Sequence, residues 1–168
     1  MAEQLDQILQ RQKGQISGKS VGSQKQEENI TQLVGFIVGH EEYAIPILNI
    51  QEIIKPIDYT RVPSTPSYIL GVFNLRGNVI PLIDLRAKFN LATQNQNSET
   101  RYIVMKDGDN IAGFVIDKLT EAIRLKESQI EPAPETLHKD KGMISGIGKR
   151  DDSILTILKV DVLLKRNF

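Results

Sequence analysis

The sequence predicts an all-β protein of two small units, each of about five strands, packed on one another. Three observations carry that prediction. From Thr31 onward, strand-length clusters rich in Ile, Leu and Val alternate with turns built from Gly, Pro, Asn and Asp. The two halves of the chain align with each other at a nearly constant offset. Tryptophan is absent and aromatic residues are 5% of the chain, so the core must rest on aliphatic side chains.

The first element read in order is Gln32–Val38, which runs through Gly39-His40 into Glu41–Ile47. This pattern predicts a hairpin with its turn at Gly-His. Pro46 has no N–H to give a ladder, so the second strand is expected at an edge or a bulge. Ile50–Ile54 reads as a third strand, stopped by Pro56. Pro63 and Pro66 bracket a turn, and Ser67 is expected to cap a short helix before Gly71. Tyr68–Phe89 then gives two strands joined at Asn74-Leu75-Arg76-Gly77, followed by one or two helical turns over Leu85–Phe89. A turn needs Gly and Asn for their backbone freedom. It does not need an arginine, so Arg76 is singled out.

Ala92–Thr100 is a polar linker. The second half opens with Arg101–Lys106 and a turn at Asp107–Asn110. It continues through the lightly interrupted apolar run Ile111–Leu125 and a loop at Pro132 and Pro134. Gly146–Lys149 and Ile154–Leu158 make a last strand pair. Asp161–Lys165 is expected to close the chain as a helix with basic residues at the favourable end of its dipole. Residues 1–30 differ from the rest. Leu5, Ile8 and Leu9 give one short apolar helical face, and Gly14–Asn29 has almost nothing to bury. They are read as a flexible polar tail preceding one domain over residues 31–168.

Shifting the chain by 69 places Gly39 on Gly108, Ala44-Ile45 on Gly113-Phe114, Ile47 on Ile116 and Glu52 on Glu121. Shifting by 75 places Gly71 on Gly146, Val79-Ile80 on Ile154-Leu155 and Leu82-Ile83 on Ile157-Leu158. The change of offset falls near the Pro132/Pro134 loop, where insertion is cheap. The chain therefore reads as a pseudo-duplication, about residues 31–95 and 96–168, with strand or helix exchange between the halves allowed. Shared positions are apolar or glycine, as shared packing requires. Arg76 has a charged counterpart in Arg150 but without its Leu75 and Gly77 neighbours, and Asp84 is matched by Lys159.

Composition narrows the chemistry. Lys plus Arg and Asp plus Glu are both 21, so no overall field draws the chain to nucleic acid or anionic lipid. No cysteine is present, which excludes disulfides, thiolate catalysis and thiolate metal sites. No run approaches a membrane span and no signal pattern opens the chain, which predicts an intracellular protein without membrane insertion. No catalytic, cofactor or metal site is expected. His40 and His138 lie in turns or loops of different halves, and no HExxH, GxSxG or GxxxxGK[ST] spacing occurs. Asp107, Asp109 and Asn110 are too few for a calcium loop, and no bidentate glutamate follows at the required spacing. Basic residues near the C-terminus lack the interleaved aromatics of a nucleic-acid surface.

Several segments together carry a resemblance. They are Glu41–Ile45, Ile50–Ile53, Arg61–Pro63, Gly71–Gly77 with its Asn-Leu-Arg-Gly, Pro81–Arg86, Gly113–Asp117 and Ile130–Glu135. Over Thr31–Phe168 the chain resembles the CheW family of bacterial chemotaxis coupling proteins. The resemblance implies two five-stranded SH3-like barrels around a shared core. It also implies an adaptor without catalysis, recruited in the cytoplasm to membrane-associated receptor arrays. Such proteins bind the regulatory domain of the histidine kinase CheA and the cytoplasmic tips of chemoreceptors. Like subdomains in the kinase allow pseudo-symmetric contacts that build rings.

Carried over position by position, the resemblance implies Ile50, Glu52 and Arg76 on the receptor side and Ile54, Pro56 and Val62 on the kinase side. The alternative for Arg76 is an internal ion pair with Glu52 or Asp84, and for Ile50 it is core packing. The chain's end at Phe168 argues against the coupling proteins that carry an added receiver domain. Two rival readings stand beside the adaptor: a related adaptor serving another pathway such as surface motility, and a small-molecule enzyme on a double-barrel scaffold.

Overall fold

A computed structural model describes residues 29–134 and 142–165. The apolar face of Leu5, Ile8 and Leu9, together with His138, lies outside the described residues.

The strands follow the aliphatic clusters. They are β1 (Ile30–Val38), β2 (Glu41–Pro46), β3 (Ile50–Ile54), β4 (Ile69–Leu75), β5 (Asn78–Asp84), β6 (Arg101–Asp107), β7 (Asn110–Ile116), β8 (Lys118–Lys126), β9 (Ile130–Glu131), β10 (Ile144–Arg150) and β11 (Ser153–Leu158). Two four-residue helices, α1 (Leu85–Lys88) and α2 (Val160–Leu163), follow β5 and β11. The buried pairs Phe36 and Val38 on β1 and Ile80 and Leu82 on β5 show the strand period of two at work, and a bulge between Val34 and Phe36 lets Leu33 face a different interior.

The strands form two sheets, ordered β8-β1-β2-β11-β10-β9 and β3-β6-β7-β5-β4. Each sheet draws strands from both sequence halves. Under the offsets of 69 and 75, β3, β6, β7, β5 and β4 correspond to β8, β1, β2, β11 and β10, so the strand orders are the same. Registers agree as well. The parallel pair Leu82↔Gly113 in one sheet is matched by Ile157↔Ala44 in the other. The bulge between Ile69 and Gly71 is matched by one between Ile144 and Gly146. The helices match too, Leu85–Lys88 falling on Val160–Leu163. The short β9 is the sixth strand of its sheet, and its pairing of Glu131 with Ile147 is matched in the other sheet by the single bridge Thr60↔Val72.

Each sheet has its own apolar interior. Leu33, Ala44, Ile123, Leu125, Leu155 and Ile157 fill one, and Phe73, Ile80, Leu82, Tyr102 and Val104 the other. A third, larger cluster is shared. It takes Phe36, Val38 and Ile45 from the first sheet and Ile83, Ile103, Met105, Phe114 and Ile116 from the second, with Leu85, Val160 and Leu163 from the helices. The chain is thus mostly β, in two sheets around a shared core.

Three expectations are corrected. Strand β2 is central, between β1 and β11, and not an edge. Pro46 is tolerated because it is the last residue of β2, beyond the parallel pairing at Tyr43 and Ala44. Ser67 caps no helix: the segment enters β4 directly after turns, held by Ile69 N–H donating to the Pro66 carbonyl at 3.0 Å. The backbone counterpart of Arg76 is Asp151, since both take positive φ, 51° and 40°; Arg150 is one residue earlier.

Candidate partner-binding surface

The sheet containing β3 and β4 has those two strands as its edges. The segment between them, residues 55–68, crosses from one edge to the other. It is strapped onto β4 by a reciprocal pair of 2.8 Å bonds, Thr60 N–H to the Val72 carbonyl and Val72 N–H to the Thr60 carbonyl. Gly71 makes this approach possible. A Cβ there would stand 2.1 Å from the Thr60 carbonyl oxygen.

The β4–β5 turn is Arg76-Gly77, with φ of 51° and 86°. Positive φ at both central residues fits the right-handed twist of a two-residue hairpin. Gly77 adopts it freely, and Asn74 Oδ1 accepts from its N–H at 3.0 Å. Arg76 adopts it against its intrinsic preference. From this turn the guanidinium reaches Glu52 on the opposite edge strand, Nε to Oε1 at 3.0 Å and Nη2 to Oε2 at 3.2 Å. The bidentate bond therefore clasps the two edges of the sheet. The hydrogen bond from Arg76 holds the Glu52 carboxyl below its ordinary value, and the same bond raises Arg76.

The other sheet has an analogous closure. Arg150 on β10 bonds Glu121 on β8 and, at 2.8 Å, Glu42 on β2. The two clasps differ in exposure. Arg76 is 75% exposed, whereas Arg150 is 24% exposed and its Nε is buried with no partner. Arg76 Nη1 donates to neither Glu52 oxygen. The Arg76–Glu52 pair thus presents a displayed cation and a pre-oriented carboxylate together.

The structure brings Glu52 and Arg76 into contact, and the partner of Arg76 is Glu52, not Asp84. Asp84 is buried, and its Oδ1 accepts from the Arg86 N–H at 3.0 Å as the cap of α1. Burial pushes the Asp84 carboxyl up from its ordinary value. Ile50 shares β3 with Glu52, but it is half-buried and packs against the shared core, paired with Met105. Ile54 is half-buried against the interior of its own sheet. Pro56 is half-buried and Val62 exposed, both on the strap.

Sequence reasoning missed the exposed apolar residues. Ile57 and Tyr59 are exposed on the strap beside Val62, and Leu48 is 95% exposed between β2 and β3. Val79 and Ile154, equivalent under the repeat, are 69% and 67% exposed. The signal for Val79 was the period of two, which turns it outward when Ile80 and Leu82 face in. Among the described residues no group of His, Asp and Glu has metal-site geometry, and no helix is long and apolar enough to cross a membrane.

Comparison with known proteins adds the following. The model of the CheW-like domain matches residues 32–168. A chemotaxis protein CheW of Helicobacter pylori is 55% identical over 168 residues, covering 100% of both chains. The CheW of Bacillus subtilis is 38% identical over 135 residues, covering 80% of this chain and 86% of its own. Among solved structures, the scaffolding protein TtCheW of Thermoanaerobacter tengcongensis superposes with a TM-score of 0.77 at 32% identity, covering 83% of this chain and 95% of its own. These relatives favour neither the surface-motility reading nor the enzyme reading.

Proposed function

Because the chain belongs to the CheW-like family and is a chemotaxis adaptor, we propose that it bridges the regulatory domain of a CheA-type histidine kinase and the cytoplasmic tip of a chemoreceptor. In this reading it works without catalysis, in the cytoplasm, on membrane-associated receptor arrays. The domain is read as residues 31–168, with β1 beginning one residue earlier at Ile30.

The observation that carries the reading is the exposed Arg76–Glu52 clasp. A strained turn holds the arginine where it stays solvent-exposed, although a residue used only to close the sheet need not be displayed. A receptor tip is a helical hairpin. Its carboxylates and end carbonyls suit the donors that Arg76 has left, and Glu52 keeps the guanidinium plane fixed. Ile50 serves this face from below, by setting the position of β3 against the core.

The kinase side is the strap. Val62 lies exposed with Ile57 and Tyr59 on it, and Pro56 stiffens its start. Ile54 anchors the strap's origin in the sheet interior. An apolar patch on a strap bridged to the edge strand β4 suits a modest protein interface.

The test is differential capture. Purified Arg76→Ala chain should lose capture by a receptor-tip fragment by about tenfold, the scale of one charge-assisted contact, and keep capture by the kinase regulatory domain. Val62→Asp should do the reverse. Equal loss of both partners in either variant would count against two separate faces.

A further inference from the structure

The chain passes between the two sheets at only two places among the described residues. It leaves the first sheet at the short turn Ile47–Asn49 and returns to it at Asp117, between β7 and β8. The two crossings are equivalent under the repeat, since Leu48 falls on Asp117 at the offset of 69. They are treated differently. Leu48 is almost wholly exposed, whereas Asp117 is enclosed by donors. Arg86 Nε donates to Asp117 Oδ1 at 2.9 Å, and Nη2 donates to Oδ2 at 2.6 Å. Gly39 N–H, in the β1–β2 turn of the first sheet, donates to Oδ2 at 2.8 Å. Asp117 N–H in turn donates to the Ile37 carbonyl on β1 at 3.0 Å.

Arg86 comes from the other side. It lies on α1, which continues β5 of the second sheet, and its Nη1 donates to the Ala92 carbonyl in the linker that precedes β6. One guanidinium–carboxylate pair therefore ties together α1, the linker, the second crossing and the first sheet's β1–β2 turn. Close by, Phe89 at the end of α1 packs on Tyr43 of β2 with ring centroids 5.0 Å apart. The repeat has no second copy of the ion pair: the positions matching Arg86 and Asp117 are Asp161 and Leu48.

The shared core holds the sheets together, but apolar burial is itself non-directional. A bidentate pair is directional. We propose that Arg86 and Asp117 are positioning residues, a latch that fixes the angle between the two sheets and so lets the adaptor hold its partners in one relative arrangement. The second part rests on the bridging function proposed above; the first does not. Neither residue needs to touch a partner. Arg86 and Asp117 are partly buried, with side-chain exposures of 18% and 25%.

The absence of cysteine allows a clean test on the full chain. Cysteines introduced at Asp109, in the β6–β7 turn, and Asp152, in the β10–β11 turn, carry spin labels on opposite sheets at exposed sites. Pulsed electron–electron resonance should give one narrow distance distribution. Arg86→Ala and Asp117→Asn should broaden it about twofold or more, and Arg86→Lys, which keeps the charge without the fork, should recover part of the sharpness. In parallel, each variant should capture the kinase domain or the receptor fragment singly within about twofold of the parent, while assembly of all three falls about fivefold. Should Arg86→Ala fail to fold, Arg86→Lys and Asp117→Asn carry the test. An unchanged distance distribution in the folded variants overturns the latch. A broadened distribution with unchanged three-part assembly overturns its role in bridging. If the parent chain itself captures neither partner, the bridging function fails, and the distances still decide the latch.

Discussion

Arg76 and Glu52 stand on opposite edges of one sheet and are joined by two parallel hydrogen bonds of 3.0 and 3.2 Å. The pair closes the sheet and at the same time displays its charges to solvent. Structural and recognition roles for Arg76 are therefore not exclusive, and their balance is measurable.

Replacing Arg76 should separate the two roles. Arg76→Asn puts Asn-Gly at a turn that needs positive φ twice, the preferred chemistry for such hairpins. The lost clasp is exposed and contributes little to stability. Melting temperature should stay within about 3 °C of the parent, while receptor capture falls as in Arg76→Ala. A drop of more than about 6 °C would show that the clasp is mainly structural.

Gly71→Ala should do the opposite. The added methyl meets the Thr60 backbone, which cannot move aside without breaking the strap's bonds to β4. The expected cost is about 2–4 kcal/mol, or roughly 5–12 °C in Tm. Kinase capture should weaken more than receptor capture, because Pro56 and Val62 ride on the strap. Thermal melts and capture on the same variant check both statements.

Asp84 and Glu52 should respond to pH in opposite senses. Burial raises the Asp84 carboxyl above its ordinary 3.8, so its folded form holds the proton more tightly than the unfolded chain does. Its stabilising contribution is complete below 3.8 and is lost as pH rises through the raised folded value. Glu52 is lowered from 4.5, so its contribution is present above 4.5 and is lost as pH falls through the folded value. Asp84→Asn keeps an acceptor for the Arg86 N–H without burying a charge. At pH 7 it should match or exceed the parent's Tm, with a smaller gain on acidification. Glu52→Gln should flatten the acid-side loss. Melts from pH 3 to pH 7 would show both slopes.

Deleting residues 1–28 should leave Tm within about 2 °C. The sheets begin at Ile30 and the family match at residue 32. A larger loss would mean that the N-terminal segment packs on the barrels.

Much of this architecture was legible in the residues, because it repeats. Gly71 and Gly146, or Leu82 and Ile157, face the same packing demands in both halves, and an offset finds them without any structure. Exchange of strands between the halves was allowed by the residues, but which strands exchange was not legible. A duplication fixes which segments are alike, but either copy of the β1–β2 hairpin can pair with either β11 or β5. The site was half legible. Arg76 stood out as a cation that a turn does not need, but its reach to Glu52 depends on β3 and β4 being the two edges of one sheet. Leu48 was hidden because an apolar residue between two strands reads as core. Asp117 was hidden because its donors, Arg86 and Gly39, come from distant parts of the chain.

The adaptor account is tested most directly by mixing the purified chain with a kinase regulatory domain and a receptor-tip fragment and resolving the mixture by size. The account predicts one complex containing all three, and no association of kinase domain with receptor fragment when the chain is omitted. Binding of only one partner at a time, or of neither, would contradict it.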